Sequence, residues 1–378
     1  MNKNINIDTV KTPTIILNDE QAKKNLHRMA DKAVSKNIRF RPHFKTHQSA
    51  EIGEWFRDVG VSEITVSSVS MAEFFADNGW KDILIAFPVN IREIESIRTL
   101  AERTHLGLLV DMEESIKRLG EEITNEIDIW IKIDTGMRRA GVWWENDVVV
   151  GKLIKLIDQF PELRLRGLLT HAGQTYHASS GNEVLDLYQK SNFRMNQLRD
   201  HLVEKGIRNL EVSVGDTPGC CLSDDLGLVD EIRPGNFLFF DAMMLQLGVC
   251  RPDEIAVCVA CPIVSSYERR QEIVIYGGAV HLSKETIENS TPPVYGYAAF
   301  SPDSATWEIN PANYVRSLSQ EHGVVRLCED EFKKARIGDL IYIIPVHSCL
   351  AAEALGKYVT LGGDMIKTRM EGVEKQVS

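Results

Sequence analysis

Eight short apolar runs, separated by polar joints and by stretches of helical periodicity, restrict this chain to very few folds. They fall at Phe40–His43, Ile64–Val66, Ile83–Phe87, Leu106–Val110, Ile129–Ile133, Leu165–Leu169, Leu210–Val214 and Glu231–Arg233. The intervals near Glu51–Val59, Arg92–Arg103, Asp147–Phe160 and Val184–Lys205 repeat apolar residues at helical spacing. A first helix, with Asp19 read as its N-cap, carries Leu26, Met29 and Ala33 on one face. Strands alternating with helices predict a parallel sheet of the α/β class, and eight of them predict its closure into a TIM-type (β/α)8 barrel. An open doubly wound sheet usually has fewer strands and ranks second.

The pattern changes near residue 242. Runs such as Ile255–Val264, Glu272–Ile275, Val324–Leu327 and Asp339–Ile344 are short, β-rich and bounded by turn residues. They predict a barrel over 19–241 followed by a β-domain over 242–378. The apolar stretch Pro13–Leu17 reads as a strand by which residues 1–18 join that β-domain.

Bulk properties exclude several classes of partner. A net charge of −11 disfavours nucleic acid, whose phosphates demand a surplus of Lys and Arg. No apolar run approaches the ~20 residues that span a bilayer, and the stretch MNKNINIDTV has neither the apolar core of a secretory signal nor the pattern of a transit peptide. Seven cysteines, two of them the neighbours Cys220 and Cys221, argue for reduced thiols. Cytoplasm is the expected compartment.

In a β/α barrel the active site lies at the carboxyl ends of the strands, so the polar residues that end each run are the informative ones. The first run leads into Arg41-Pro42-His43-Phe44-Lys45-Thr46-His47, the fifth into Asp134-Thr135-Gly136-Met137-Arg138-Arg139, and the sixth into Thr170-His171-Ala172-Gly173. The seventh leads into Gly215-Asp216-Thr217-Pro218-Gly219, and the eighth contains Arg233-Pro234-Gly235. A lysine attacks a carbonyl only as the neutral amine, and neighbouring cations at a barrel mouth would lower its pKa, which makes Lys45 a candidate Schiff-base residue. Read alone, a strand-ending lysine is more often a solvated rim charge. The loop after the seventh strand offers Gly215 and Thr217 to a phosphate.

A second signal, His347-Ser348-Cys349, directly follows the apolar run Leu340–Val346. Alternate residues of a strand share a face, which would bring imidazole and thiolate to one cation. Taken alone, the motif is better explained by two buried side chains without a metal. Two protein ligands also fall short of a structural zinc shell, so a metal here would be of the open, catalytic type.

Together these segments carry a family. Arg-Pro-His-Phe-Lys-Thr-His at 41–47, Asp-Thr-Gly-Met-Arg-Arg-Ala-Gly at 134–141, Thr-His-Ala-Gly at 170–173, Glu-Ile-Arg-Pro-Gly-Asn at 231–236 and Pro-Val-His-Ser-Cys-Leu at 345–350 resemble the D-threonine aldolase and D-serine dehydratase family, which shares the fold of alanine racemase. The resemblance implies pyridoxal 5′-phosphate on Lys45, Arg139 at its phenolic oxygen and His171 beside its ring. It implies His43 and Tyr176 as further cofactor contacts, and Gly215, Thr217, Gly235 and Asn236 around the phosphate. His347 and Cys349 would hold a divalent metal, and imidazole with thiolate favours zinc. A small D-amino acid would be the substrate and a homodimer the assembly.

The same resemblance leaves two reactions in competition on β-hydroxy-D-amino acids. Dehydration of D-serine gives pyruvate and ammonia, while retro-aldol cleavage of D-threonine gives glycine and an aldehyde. The aldolase branch typically carries His-x-Asp at the metal and a histidine shortly after the sixth strand; this chain has Cys349 and Gln174 there, which favours the dehydratase. His177 stands near enough in sequence to serve as the hydroxyl base of an aldolase. A racemase would need a second base, and the tyrosine that supplies it in alanine racemases is not identified in this chain. A non-catalytic pyridoxal phosphate carrier would leave the β-domain and the His-x-Cys motif without a task.

Overall fold

The computed structural model describes residues 10–300 and 307–370, so all but the last residue of the MNKNINIDTV stretch lies outside it. The chain divides into two compact units. One comprises Met29–Lys45 and Phe56–Gly235; the other comprises the described residues of Met1–Arg28, Thr46–Trp55 and Asn236–Ser378.

The first unit is the expected barrel. Its strands are Arg39–Phe40, Glu63–Val66, Asp82–Pro88, His105–Val110, Ile127–Asp134, Leu163–Leu169, Glu211–Val214 and Glu231–Ile232. From the second onward each pairs in parallel with its successor, and the last pairs back onto the first. The remaining gap is closed by a parallel bridge between His43 and Thr65, where the Phe44 amide donates to the Thr65 carbonyl at 2.8 Å and the Thr65 amide to the Pro42 carbonyl at 2.9 Å. Both faces of these strands are covered, which is why they read as unbroken apolar runs. In Ile127–Asp134 every residue but the last is buried, and Asp128, Trp130, Lys132 and Asp134 share one face. Trp130 packs there with Leu84, Leu109 and Leu169, each at most 1% exposed, so the interior is a packed core.

The helices Ala50–Asp58, Ile94–Ala101, Asp147–Ile157 and Gly181–Glu204 lie where the periodicity predicts them. The first helix, Asp19–Ser35, is capped one residue earlier than expected: the Asn18 side chain accepts from the Gln21 amide at 3.0 Å. Asp19 instead sits in the first turn, where a carboxylate favours the positive end of the helix dipole.

In the second unit, strands Val257–Tyr267, Glu272–Tyr276, His322–Arg326, Tyr314–Leu318, Gly296–Ala299 and Leu340–Pro345 pair antiparallel in that order, and the last returns to the first. The result is a small closed antiparallel barrel. Strand Val257–Tyr267 pairs with Leu340–Pro345 through Val259–Pro262 and with Glu272–Tyr276 through Ile263–Tyr267, with a register shift between Ile263 and Ser265. Thr14–Leu17 pairs antiparallel with Val257–Ala260 and parallel with Lys357–Thr360. No disulfide joins the seven cysteines.

Candidate active site

At the carboxyl end of the first barrel strand the chain turns so that the Lys45 amide donates to His43 Nδ1 at 3.4 Å, while the His43 amide donates to the Pro234 carbonyl at 3.0 Å. The Lys45 side chain is exposed. Burial, with the charges of Lys45, Arg233 and His171, pushes the His43 imidazole well below its ordinary value. His171, after the sixth strand, is depressed in the same way by burial, Lys45 and Lys132. Its Nδ1 donates to the Gly215 carbonyl at 2.5 Å, which fixes the tautomer and leaves the lone pair on Nε2. The mouth therefore presents an amine beside two neutral imidazoles.

The loop after the fifth strand is shaped by Asp134, whose Oδ1 accepts from the Gly136 amide at 2.8 Å and the Arg138 amide at 3.1 Å. Gly136 (φ 139°) and Arg138 (φ 56°) take left-handed conformations in this turn. Arg139 is exposed just beyond it and acts electrostatically on both His171 and Lys132.

The loop after the seventh strand meets the same group of residues. The Thr217 amide donates to Tyr176 Oη at 3.2 Å, and the Tyr176 ring lies 6.0 Å from His171. Thr217 Oγ1 is buried and has no hydrogen-bond partner among the described residues. Such an orphaned hydroxyl is costly unless a ligand satisfies it. Gly215 is required by close approach: a Cβ there would lie 2.9 Å from the Arg233 backbone. Gly215→Ala is expected to cost about 1–3 kcal/mol through this clash, read as a lowered midpoint in chemical denaturation.

Three residues of the sequence-based set lie apart from these bonds. Gly235 follows Pro234, whose carbonyl holds His43. His177 ends the short turn Gly173–His177 and is exposed. Asn236 belongs to the second unit, where its amide donates to Asp241 Oδ2 at 2.7 Å and its carbonyl oxygen accepts from the Ser348 hydroxyl at 2.7 Å.

The sequence reading passed over Lys132. It lies inside the barrel in phase with Asp128 and Trp130, and burial together with Arg233 and Arg139 pushes its ammonium down to about 7 against the pull of Asp134 and Asp111. The available signal was a lysine at an inward position of an otherwise apolar strand.

In the second unit His347 and Cys349 do meet, though not through strand alternation. The strand ends at Pro345, His347 is the N-cap of helix Ser348–Leu355, and Cys349 lies in that helix's first turn. The turn is held by Asp241, a fully buried carboxylate whose Oδ2 accepts from the Ser348 amide at 2.9 Å. His347 hydrogen-bonds Cys349, and its Nδ1 lies 2.9 Å from Glu285 Oε2. The Cys349 thiol donates to Thr46 Oγ1 at 3.3 Å. Burial disfavours the charged imidazole, but Cys349, Glu285 and Asp241 outweigh it and hold His347 well above its ordinary value. The pocket thus favours a cation, and its nitrogen and sulfur donors suit zinc. Among the described residues no set of three His, Cys, Asp or Glu forms a fuller metal cage.

Comparison with known proteins decides the family. The family model for the alanine racemase N-terminal domain matches residues 17–243. The chain belongs to that family. A second model, for a putative serine dehydratase domain, matches residues 256–361 and sets the chain in the D-serine dehydratase and D-threonine aldolase branch. The D-threo-3-hydroxyaspartate dehydratase of Delftia sp. (strain HT23) is 26% identical over 94% of this chain and 95% of its own length. Its solved structure superposes with a TM-score of 0.87, at 24% identity over 96% of this chain and 99% of that one. The D-serine dehydratase of Dictyostelium discoideum is 27% identical over 96% of each chain. The structure of D-threonine aldolase from Filomicrobium marinum matches with a TM-score of 0.84 and 25% identity, covering 98% of this chain and 99% of that one. The family is one of pyridoxal phosphate enzymes, and this member is a lyase. No helix among the described residues is long and apolar enough to cross a membrane.

Proposed function

We propose that this enzyme dehydrates D-serine to pyruvate and ammonia, using pyridoxal phosphate on Lys45 and a divalent metal, zinc, on His347 and Cys349. Bound there, pyridoxal phosphate withdraws electrons from the substrate's α-carbon and the metal acts as a Lewis acid toward the β-hydroxyl. The residues fit the cofactor: an exposed amine at the barrel mouth, a buried Thr217 hydroxyl awaiting a partner, and a loop that Gly215 lets settle against Arg233. Lys45 would hold the carbonyl carbon, Arg139 the phenolic oxygen, and Gly215 and Thr217 the phosphate. His171, kept neutral and locked by its Nδ1 bond, would flank the ring without placing a second cation beside the amine.

For dehydration the chain needs one base at the α-proton and nothing that removes the hydroxyl proton. Lys45 Nζ would take the α-proton, and the β-hydroxyl would leave as hydroxide, which becomes water by taking up the proton that Lys45 removed. The observation that carries this reading is Gln174: an amide, which neither accepts nor delivers a proton at neutral pH, stands at the start of the turn after the sixth strand. The second reading, retro-aldol cleavage, rests on His177, three residues later in the same turn and so on the same side of a 3-10 helix. Its imidazole is exposed. A cytoplasmic homodimer is the assembly and compartment this reading carries with it.

Purified enzyme incubated with D-serine, D-threonine and L-alanine, and assayed for keto acid, glycine and the enantiomer, separates the alternatives. The expected result is pyruvate from D-serine, falling at least about 100-fold on chelation and returning with zinc. Glycine from D-threonine with no pyruvate from D-serine would establish the aldolase instead. Activity indifferent to chelator would remove the metal from the proposal.

A further inference from the structure

We infer that Glu285 is a positioning residue for the metal: it accepts the Nδ1 proton of His347 and so presents Nε2 as the donor beside Cys349. The inference rests on His347 and Cys349 being the ligands of the proposed metal. Nδ1 of His347 lies 2.9 Å from Glu285 Oε2, a hydrogen-bond distance at which an ionised carboxylate can only accept. A metal on Nε2 displaces the proton there, and the proton that remains, on Nδ1, faces the carboxylate. The two nitrogens of an imidazole point widely apart, so a metal on Nε2 does not compete with the carboxylate.

The surroundings support positioning over ligation. Glu285 reaches the site from the turn after helix Ala279–Leu282, in which Ser283 adopts a left-handed φ of 68° and its hydroxyl accepts from the Glu285 amide at 3.3 Å. Its side chain is 42% exposed while that of His347 is 23% exposed, so the carboxylate is the more solvated of the pair. On the backbone side, Asp241 already holds the Ser348 amide. Imidazole orientation is thus set from two directions, the main chain by Asp241 and the ring by Glu285. Partners of this kind raise ligand basicity and fix the tautomer, and their loss typically weakens metal binding about 10- to 100-fold.

The test uses holoenzyme stripped of metal by chelator, into which zinc alone is titrated against a chromophoric competing chelator. Wild type, Glu285→Gln and His347→Ala are compared. Zinc X-ray absorption is recorded on each loaded protein, and cofactor absorbance and zinc-free thermal midpoint are followed in parallel. The expected result for Glu285→Gln is zinc binding weakened about 10- to 100-fold, with an unchanged count of light and sulfur ligands and an unchanged midpoint. Wild-type affinity in Glu285→Gln overturns the inference. So does loss of one oxygen from the zinc shell, which would make Glu285 a ligand. Equal zinc binding by wild type and His347→Ala is a different failure, that of the metal reading itself.

Discussion

Lys45→Ala is expected to lose turnover by at least about 10³-fold, and Lys45→Arg to lose as much although it keeps the positive charge. What matters is which amine can condense with a carbonyl. There are two in electrostatic contact with His171, Lys45 and Lys132. Lys132, held near 7 by burial and by Arg233 and Arg139, would compete for the carbonyl if it could be reached. It is buried, however, inside the barrel, whereas the Lys45 side chain is exposed. Access therefore favours Lys45. Borohydride reduction of the holoenzyme followed by peptide mapping checks this directly. The label should sit on the peptide containing Lys45, and Lys45→Arg should lack both the label and the near-visible absorbance. A label on Lys132, or turnover surviving in Lys45→Arg, would take the Schiff base away from Lys45 and the cofactor away from this mouth.

How much of this was legible in the sequence depends on how local each cause is. The barrel strands could be read because a parallel strand covered on both faces must be apolar throughout, as Ile127–Asp134 is. Lys45, His171 and Thr217 could be singled out because each follows such a run at the end where barrels act. The strands Gly296–Ala299 and Met365–Lys367 were not legible. They are four and three residues long, one of them Gly-Tyr-Ala-Ala, and are strands only because Leu340–Pro345 and Lys357–Thr360 offer them an edge. His347 and Cys349 were picked for a spacing that strands explain, and they meet instead across a helix cap. Glu285 lies 62 residues from His347 and left no local mark. The same holds for Arg41: its motif was visible, but its three carboxylate partners come from three other strands of the barrel.

Those partners make Arg41→Met the substitution with the largest expected cost in stability, about 3–5 kcal/mol at neutral pH. The guanidinium is buried at the amino-terminal end of the barrel, opposite the mouth. Its Nε donates to Glu231 Oε2 at 2.8 Å, and its Nη atoms to Glu63 at 2.6 Å and Asp82 at 2.5 Å. Glu231 is fully buried, and without Arg41 it keeps the Ser213 hydroxyl at 2.6 Å and a longer contact to Arg39 at 3.4 Å. Burial pushes the Glu231 carboxyl up, but Arg41 outweighs it, with help from Ser213 and Arg39, and the net position is below the usual carboxylate value; Asp82 is lowered by the same guanidinium. A folded-state pKa below the unfolded one contributes stability that is present above the unfolded value, near 4.5 for Glu, and is lost as pH falls through the folded one. In Arg41→Met the main opposing force is gone, burial dominates, and the Glu231 pKa moves above its unfolded value. Protonation then relieves the variant, so its deficit against wild type should shrink as pH is lowered from 7 toward 4. Urea denaturation at both ends of that range measures it, and Arg41→Met/Glu231→Gln should recover part of the loss because the buried charge is removed with its partner. A deficit under about 1 kcal/mol, typical of an exposed ion pair, or one that does not change with pH, would mean that solvent screens this cluster and that the barrel closes without it.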